Sequence, residues 1–251
     1  MNERIEREFG VPIPGAIREP AAWTKTALKR LPEAGLVDWQ TVFGRSAPLI
    51  VDLGCGNGRF LLGSALARPD CDHLGVDILP MVLRYATRRA NQRGISNIRW
   101  AAIDGQTFLE KYLASASVRE IHCYHPQPYH DLRERGRRLL TPTFLADVVR
   151  VLEPGGAFFV QTDNAPYWEY MKRTLPNLFA FHEQPGPWPD TPRGRTRREI
   201  LARRRGLAIH RGWATPKVLT PEEAQAIART LPPPDFDAGP AQRELDAMEN
   251  G

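Results

Sequence analysis

From Leu49 onward, short apolar runs alternate with longer segments in which apolar residues recur at helical spacing. The runs predict strands over residues 49–53, 73–76, 98–102, 120–124 and 157–162. The periodic segments between them predict helices over residues 59–67, 80–93, 106–113, 142–152 and 167–174. Strands and helices joined by short connections imply a mostly parallel sheet covered on both faces, a doubly wound α/β fold.

Local chemistry supports two of these boundaries. Thr141 before Pro142 reads as an N-cap followed by proline at the first helical position, and Glu153-Pro154-Gly155-Gly156 stops that helix ahead of the next strand. Residues 184–192 are rich in Pro and Gly and read as a loop. Residues 1–47 lack strong periodicity, so a partly ordered lead-in with one helix near residues 22–31 is expected. Three consecutive prolines and few large apolar residues make residues 231–251 an expected mobile tail. The division is an N-terminal extension over 1–47, one α/β domain over 48–220, and an acidic tail over 221–251.

With 251 residues, 42% hydrophobic and 25% charged, the chain can bury one sizeable core. No apolar run approaches membrane-spanning length, and the start is charged where a signal peptide needs apolar residues, so a cytoplasmic protein is expected. Cys55, Cys71 and Cys123 form no C-x-x-C pair and read as small buried residues. Charge is uneven. Residues 193–205 hold seven arginines and one acid, whereas residues 221–251 hold seven acids and two arginines. Such an arginine cluster is the footprint of a polyanion site, or else a solvated surface.

The most informative stretch is Leu49-Ile50-Val51-Asp52-Leu53-Gly54-Cys55-Gly56-Asn57-Gly58, with Asp77 closing the next strand. Arg59 stands where a dinucleotide fingerprint needs its third glycine, and Asp52 at the loop mouth suits a cationic ligand better than a pyrophosphate. The D-x-G-x-G-x-G pattern resembles the S-adenosylmethionine (SAM) loop of doubly wound methyltransferases. Asp77 would then accept from ribose hydroxyls, and Asp104 beside Gly105 would read the adenine. Asp163 ends the row of strand-end acids. Asp104 and Asp163 have an alternative role as helix N-caps. His122, His125 and His130 lack the spacing and the companion ligands of a metal site, so no metal is expected. Trp188 either stacks on a base or packs its loop down.

Four motifs in order carry a more specific resemblance. After the fourth predicted strand the chain reads His125-Pro126-Gln127-Pro128-Tyr129-His130-Asp131, followed by Arg133, Arg135, Arg137 and Arg138. Together with the glycine loop, with Gln161-Thr162-Asp163-Asn164, and with Thr196-Arg197-Arg198-Glu199, this resembles the bacterial tRNA (guanine-N7) methyltransferase family. There the loop reads F-P-D-P-W-x-K and the last motif T-[KR]-F-E. The resemblance implies a SAM-dependent methyltransferase fold of Rossmann-like type, and methylation of guanine N7 in tRNA, at guanine 46 by family habit.

It further implies SAM binding by Asp52, Gly54, Gly56, Gly58, Asp77, Asp104 and Gly105. Gln127 and Asp163 would be the catalytic pair. Asp131, Arg133, Thr196, Arg197, Arg198 and Glu199 would join Asp163 in contacting substrate. Gln127 replaces the family's aspartate, Asp131 its lysine and Arg198 its phenylalanine. A SAM-fold tRNA-binding protein with little catalysis is the alternative, and a small-molecule SAM enzyme leaves the arginines unexplained. tRNA is the expected partner, with no membrane, and the chain is monomeric or homodimeric.

Overall fold

The computed structural model describes residues 5–28, 31, 35–131 and 133–239. A short hairpin, β1 (Arg7–Glu8) with β2 (Val11–Pro12), and a small helix α1 (Trp39–Phe43) precede the alternating region. There the order is β3 (Leu49–Leu53), α2 (Arg59–Ala67), β4 (Asp72–Asp77), α3 (Pro80–Gln92), β5 (Ile98–Ala102) and α4 (Gly105–Tyr112). It continues with β6 (Val118–Tyr124), α5 (Pro142–Val151), β7 (Leu152–Thr162) and α6 (Ala165–Leu178). Strands β3 and β5 and helix α2 have the bounds expected from sequence. The other alternating elements match within a few residues, except that β7 starts at Leu152, directly after α5, and takes in residues 153–156, which were expected to separate the two.

Four further elements follow among the described residues: β8 (Phe179–Glu183), α7 (Arg197–Arg204), β9 (His210–Pro216) and α8 (Pro221–Thr230). The seven-stranded sheet has the order β5-β4-β3-β6-β7-β9-β8. Strands β5, β4, β3, β6 and β7 pair in parallel, and β9 runs antiparallel to both its neighbours. All five residues of β3 are buried, as a central parallel strand covered on both faces requires. One core cluster takes residues from α4, α5, α6 and α8, and a second takes residues from α2 and α3.

Connections from β3 and β6 leave in opposite senses, which creates a crevice at the carboxyl ends of these two neighbouring strands. The Thr141 hydroxyl caps α5 by accepting from the Phe144 N–H at 3.1 Å. Two expectations need correction. Residues 23–28 are not helical: Ala27 bridges to Trp100 of β5, because its backbone adds to the open sheet edge. Residues 231–239 are packed rather than loose, with Pro234 and Ala238 buried. Residues 29, 30 and 240–251 of those two segments lie outside the described residues.

Candidate active site

The chain turns sharply after β3. The N–H groups of Gly54 and Cys55 both donate to the Val76 carbonyl, at 2.8 and 3.0 Å, and Gly56 N–H donates to Asp77 Oδ2 at 2.9 Å. Gly54 and Gly56 have φ of 77° and 52°, and a Cβ on either would meet nothing within 4 Å. They leave open space for a ligand against the backbone. Gly58 serves a different end: a Cβ there would lie 2.5 Å from the Trp100 ring and 2.9 Å from Ala86. Its bare backbone lets α2 start hard against β5 and α3.

Two acids face this cradle. Asp52 is 3% exposed, and burial lifts its carboxyl to about 8, with the neighbouring Asp77 adding to the rise and Arg195 opposing it. Burial also raises Asp77, against the stabilising N–H donors of Leu79 and Gly56. A buried and a half-buried acid with so little compensating positive charge fit a cationic ligand such as a sulfonium carrying an amino group. Asp104 takes the role of N-cap, its Oδ1 accepting from Thr107 N–H at 2.9 Å, and Gly105 then opens α4. Asp163 does not cap. Asn164 caps α6 instead, through the Tyr167 N–H at 2.8 Å.

A second polar cluster lies at the end of β7. Asp163 is held on both oxygens, by His125 Nδ1 at 2.8 Å on Oδ1 and by Arg198 Nε at 2.9 Å on Oδ2. Burial alone would raise its pKa, but these two donors hold it well below the ordinary carboxylate range. Behind them Gln161, fully buried, links His125 to Glu199, its Nε2 lying 2.8 Å from His125 Nε2 and 3.1 Å from Glu199 Oε2. Glu199 is fully buried too. Its carboxylate accepts from Arg211 and, at 2.8 Å, from the Arg195 N–H, which keeps it ionised despite burial.

Arg195 in turn donates to the Tyr124 hydroxyl and to Asp190, and it lies 4.3 Å above the Trp188 ring. Trp188 is buried, with its indole N–H on Gln161 Oε1 at 2.7 Å, so it packs its loop down. A groove of about 660 Å³ between α2, β2 and residues 190–195 is lined by Arg59, Phe60, His122 and Arg195, but by no glycine of the loop.

The fold therefore brings Asp163, Thr196, Arg198 and Glu199 together. Thr196 caps α7, its Oγ1 accepting from the Glu199 N–H at 3.0 Å. Gln127 is exposed on the loop after β6. Asp131 and Arg133 pair with each other at the surface at 2.6 Å, and Arg197 lies over the Phe9 ring. His125, Gln161, Tyr124 and Arg195 are the members that sequence reasoning passed over. One signal was present for His125. It stands where the family loop has phenylalanine, just as Arg198 does in the last motif, and these two polar replacements meet on one carboxylate.

Comparison with known proteins agrees with this architecture. A family model described as "Putative methyltransferase" matches residues 46–211. The tRNA (guanine-N(7)-)-methyltransferase of Halorhodospira halophila is 34% identical over 72% of this chain and 80% of its own length. That of Nitrosococcus oceani is 30% identical over 83% of this chain and 93% of its own. Among solved structures, the 16S rRNA methyltransferase KamB superposes with a TM-score of 0.57 at 15% identity, covering 77% of this chain and 99% of that one. The 16S rRNA (adenine(1408)-N(1))-methyltransferase of Catenulisporales acidiphilia gives 0.51 at 18%, covering 76% and 96%. Those two likenesses establish the Rossmann-like methyltransferase fold, and the sequence relatives establish that the chain belongs to the tRNA (guanine-N7) methyltransferase family.

Proposed function

We propose that the protein is a SAM-dependent methyltransferase acting on N7 of a guanine in tRNA, and that the guanine is number 46 in the variable loop. The observation that carries the reading is the open glycine cradle with buried Asp52 and half-buried Asp77, two strands from a second polar cluster built on Asp163. When bound, SAM supplies an electrophilic methyl group on a sulfonium.

In this reading Gly54 and Gly56 leave room for the cofactor, Gly58 seats α2 behind them, and Asp52 faces the positive end of the cofactor. Asp77 accepts from ribose hydroxyls, while Asp104 and Gly105 border the adenine. Guanine N7 has an in-plane lone pair and no proton, so the chain has no base to provide. Its task is alignment, which can lower a barrier by ~7–11 kcal/mol. Asp163 and Gln127 hold the donor edge of the base from β7 and from the loop after β6. Thr196 and Glu199 fix α7, so that Arg198 reaches Asp163 and Arg197 packs on Phe9, while Arg203 and Arg204 are exposed toward phosphates. Residues 48–220 supply the site's side chains, residues 234–238 close its wall, and the protein works in the cytoplasm with tRNA.

Unmodified tRNA transcripts carrying guanosine or adenosine at position 46 test the finer claim. Labelled methyl uptake into the first and not the second is expected. Equal uptake would move the target elsewhere in the molecule.

A further inference from the structure

The direction of every hydrogen bond around Gln161 follows from donors that cannot act otherwise. The Trp188 indole N–H, at 2.7 Å, and the Arg211 Nε–H, at 3.1 Å, both point at one end of the Gln161 amide, which must therefore be its oxygen. The other end is the NH₂ group. It donates to Glu199 Oε2 and to His125 Nε2. An imidazole that accepts at Nε2 carries its proton on Nδ1, and Nδ1 lies 2.8 Å from Asp163 Oδ1.

The backbone is shaped for the same contact. His125 has φ of 54°, a left-handed conformation uncommon outside glycine, and its N–H is tied to the Gln161 carbonyl at 2.6 Å. Its side chain is thereby turned back from the end of β6 onto the end of β7. Both oxygens of Asp163 are then held, by His125 on one side and by Arg198 on the other.

We propose that His125 is a positioning residue. Held as the Nδ1–H tautomer by Gln161, it fixes the orientation in which the Asp163 carboxylate meets the donor edge of the target base. This rests on Asp163 contacting that base, as the functional reading has it. An N–H that keeps a reacting partner aligned contributes to turnover rather than to capture of the nucleic acid, since a misplacement of about 1 Å can cost on the order of 100-fold.

The test compares His125→Ala with His125→Asn in the full-length protein, using tRNA and SAM under steady-state conditions. Asparagine tolerates left-handed backbone, and its amide N–H can take the place of Nδ1–H. His125→Ala should lower kcat by ~10- to 100-fold with little change in KM for tRNA, and His125→Asn should recover most of the loss. Alanine at full kcat, or both variants equally impaired, would overturn the proposal. Nitrogen-15 NMR of the parent protein supplies a readout independent of either variant: protonated Nδ1 with bare Nε2 is expected, and the reverse tautomer overturns it. A parent protein that transfers no methyl group removes the functional reading and this inference with it. A parent that is active beside unaffected variants removes the inference alone.

Discussion

The Arg138 guanidinium lies 3.8 Å from the centre of the Phe236 ring and binds the carbonyls of Pro128, Tyr129, Pro234 and Phe236 at 2.6 to 3.1 Å. One buried side chain thus ties the loop that carries Gln127 to the segment after α8. The Asn164 side-chain amide adds a bond to the Ala238 carbonyl at 3.0 Å, from the residue next to Asp163. Residues 234–238 are therefore part of the wall of the candidate site.

Removal of that guanidinium strips donors from four carbonyls, each costing ~1–3 kcal/mol if left dry. With water reaching some of them, Arg138→Ala should destabilise the protein by ~2–4 kcal/mol. Arg138→Lys should recover less than half, because an ammonium cannot span the planar fork. Chemical denaturation of the three proteins checks this. A loss under ~1 kcal/mol for alanine would show that the tie is dispensable.

Asp52 makes a pH prediction. Its folded pKa, about 8, lies above the ordinary carboxylate value, so its contribution to the stability of the free protein is fully present below about pH 4 and is lost as pH rises through 8. Asp52→Asn lacks that slope and should be the more stable protein at pH 8. A cationic ligand favours the ionised acid, so SAM binding at pH 7 should release a proton. Calorimetry in buffers of different ionisation enthalpy measures it, and equal proton release by parent and Asp52→Asn would exclude Asp52 as the source.

How much of this was legible in the sequence depended on local signal strength. The strand of residues 49–53 and its glycine loop were plain because a buried parallel strand is continuously apolar and a tight turn demands glycine. The segment from α7 to β9 was not. Helix α7 is half arginine, and β9 contains Gly212, whose bare backbone lies against the Phe181 ring and would place a Cβ 2.6 Å from it. Capping signals were there to be read: Thr196 with Glu199, and a full capping box of Thr220 with Glu223. In the first pair the Glu199 carboxylate leaves the box for the Arg195 N–H and Arg211, a choice that only tertiary structure makes. Asp163 was read as a candidate site residue, but its two partners come from the residue after β6 and from α7, far away in the chain.

Arginines on the outer part of α7 and just beyond it should act through phosphates. Replacing Arg203, Arg204 and Arg205 with Gln should reduce the slope of log affinity for tRNA against log salt by roughly 2, at ~0.7–0.9 per lost contact. An unchanged slope would place this surface away from RNA.

In the proposed reading, Gln127 would offer the base edge a neutral acceptor where the family loop has an acid. Since a charge-assisted bond is roughly twice as strong as a neutral one, Gln127→Asp should raise kcat/KM on tRNA by ~10-fold. A fall would mean that Asp163 already supplies all the negative charge the pocket accepts.

The most direct measurement incubates the purified protein with labelled SAM and undermethylated tRNA, then digests the tRNA to nucleosides and separates them. The account predicts label in 7-methylguanosine and in no other nucleoside. Label in a different nucleoside, or none at all while SAM and tRNA both bind, would contradict it.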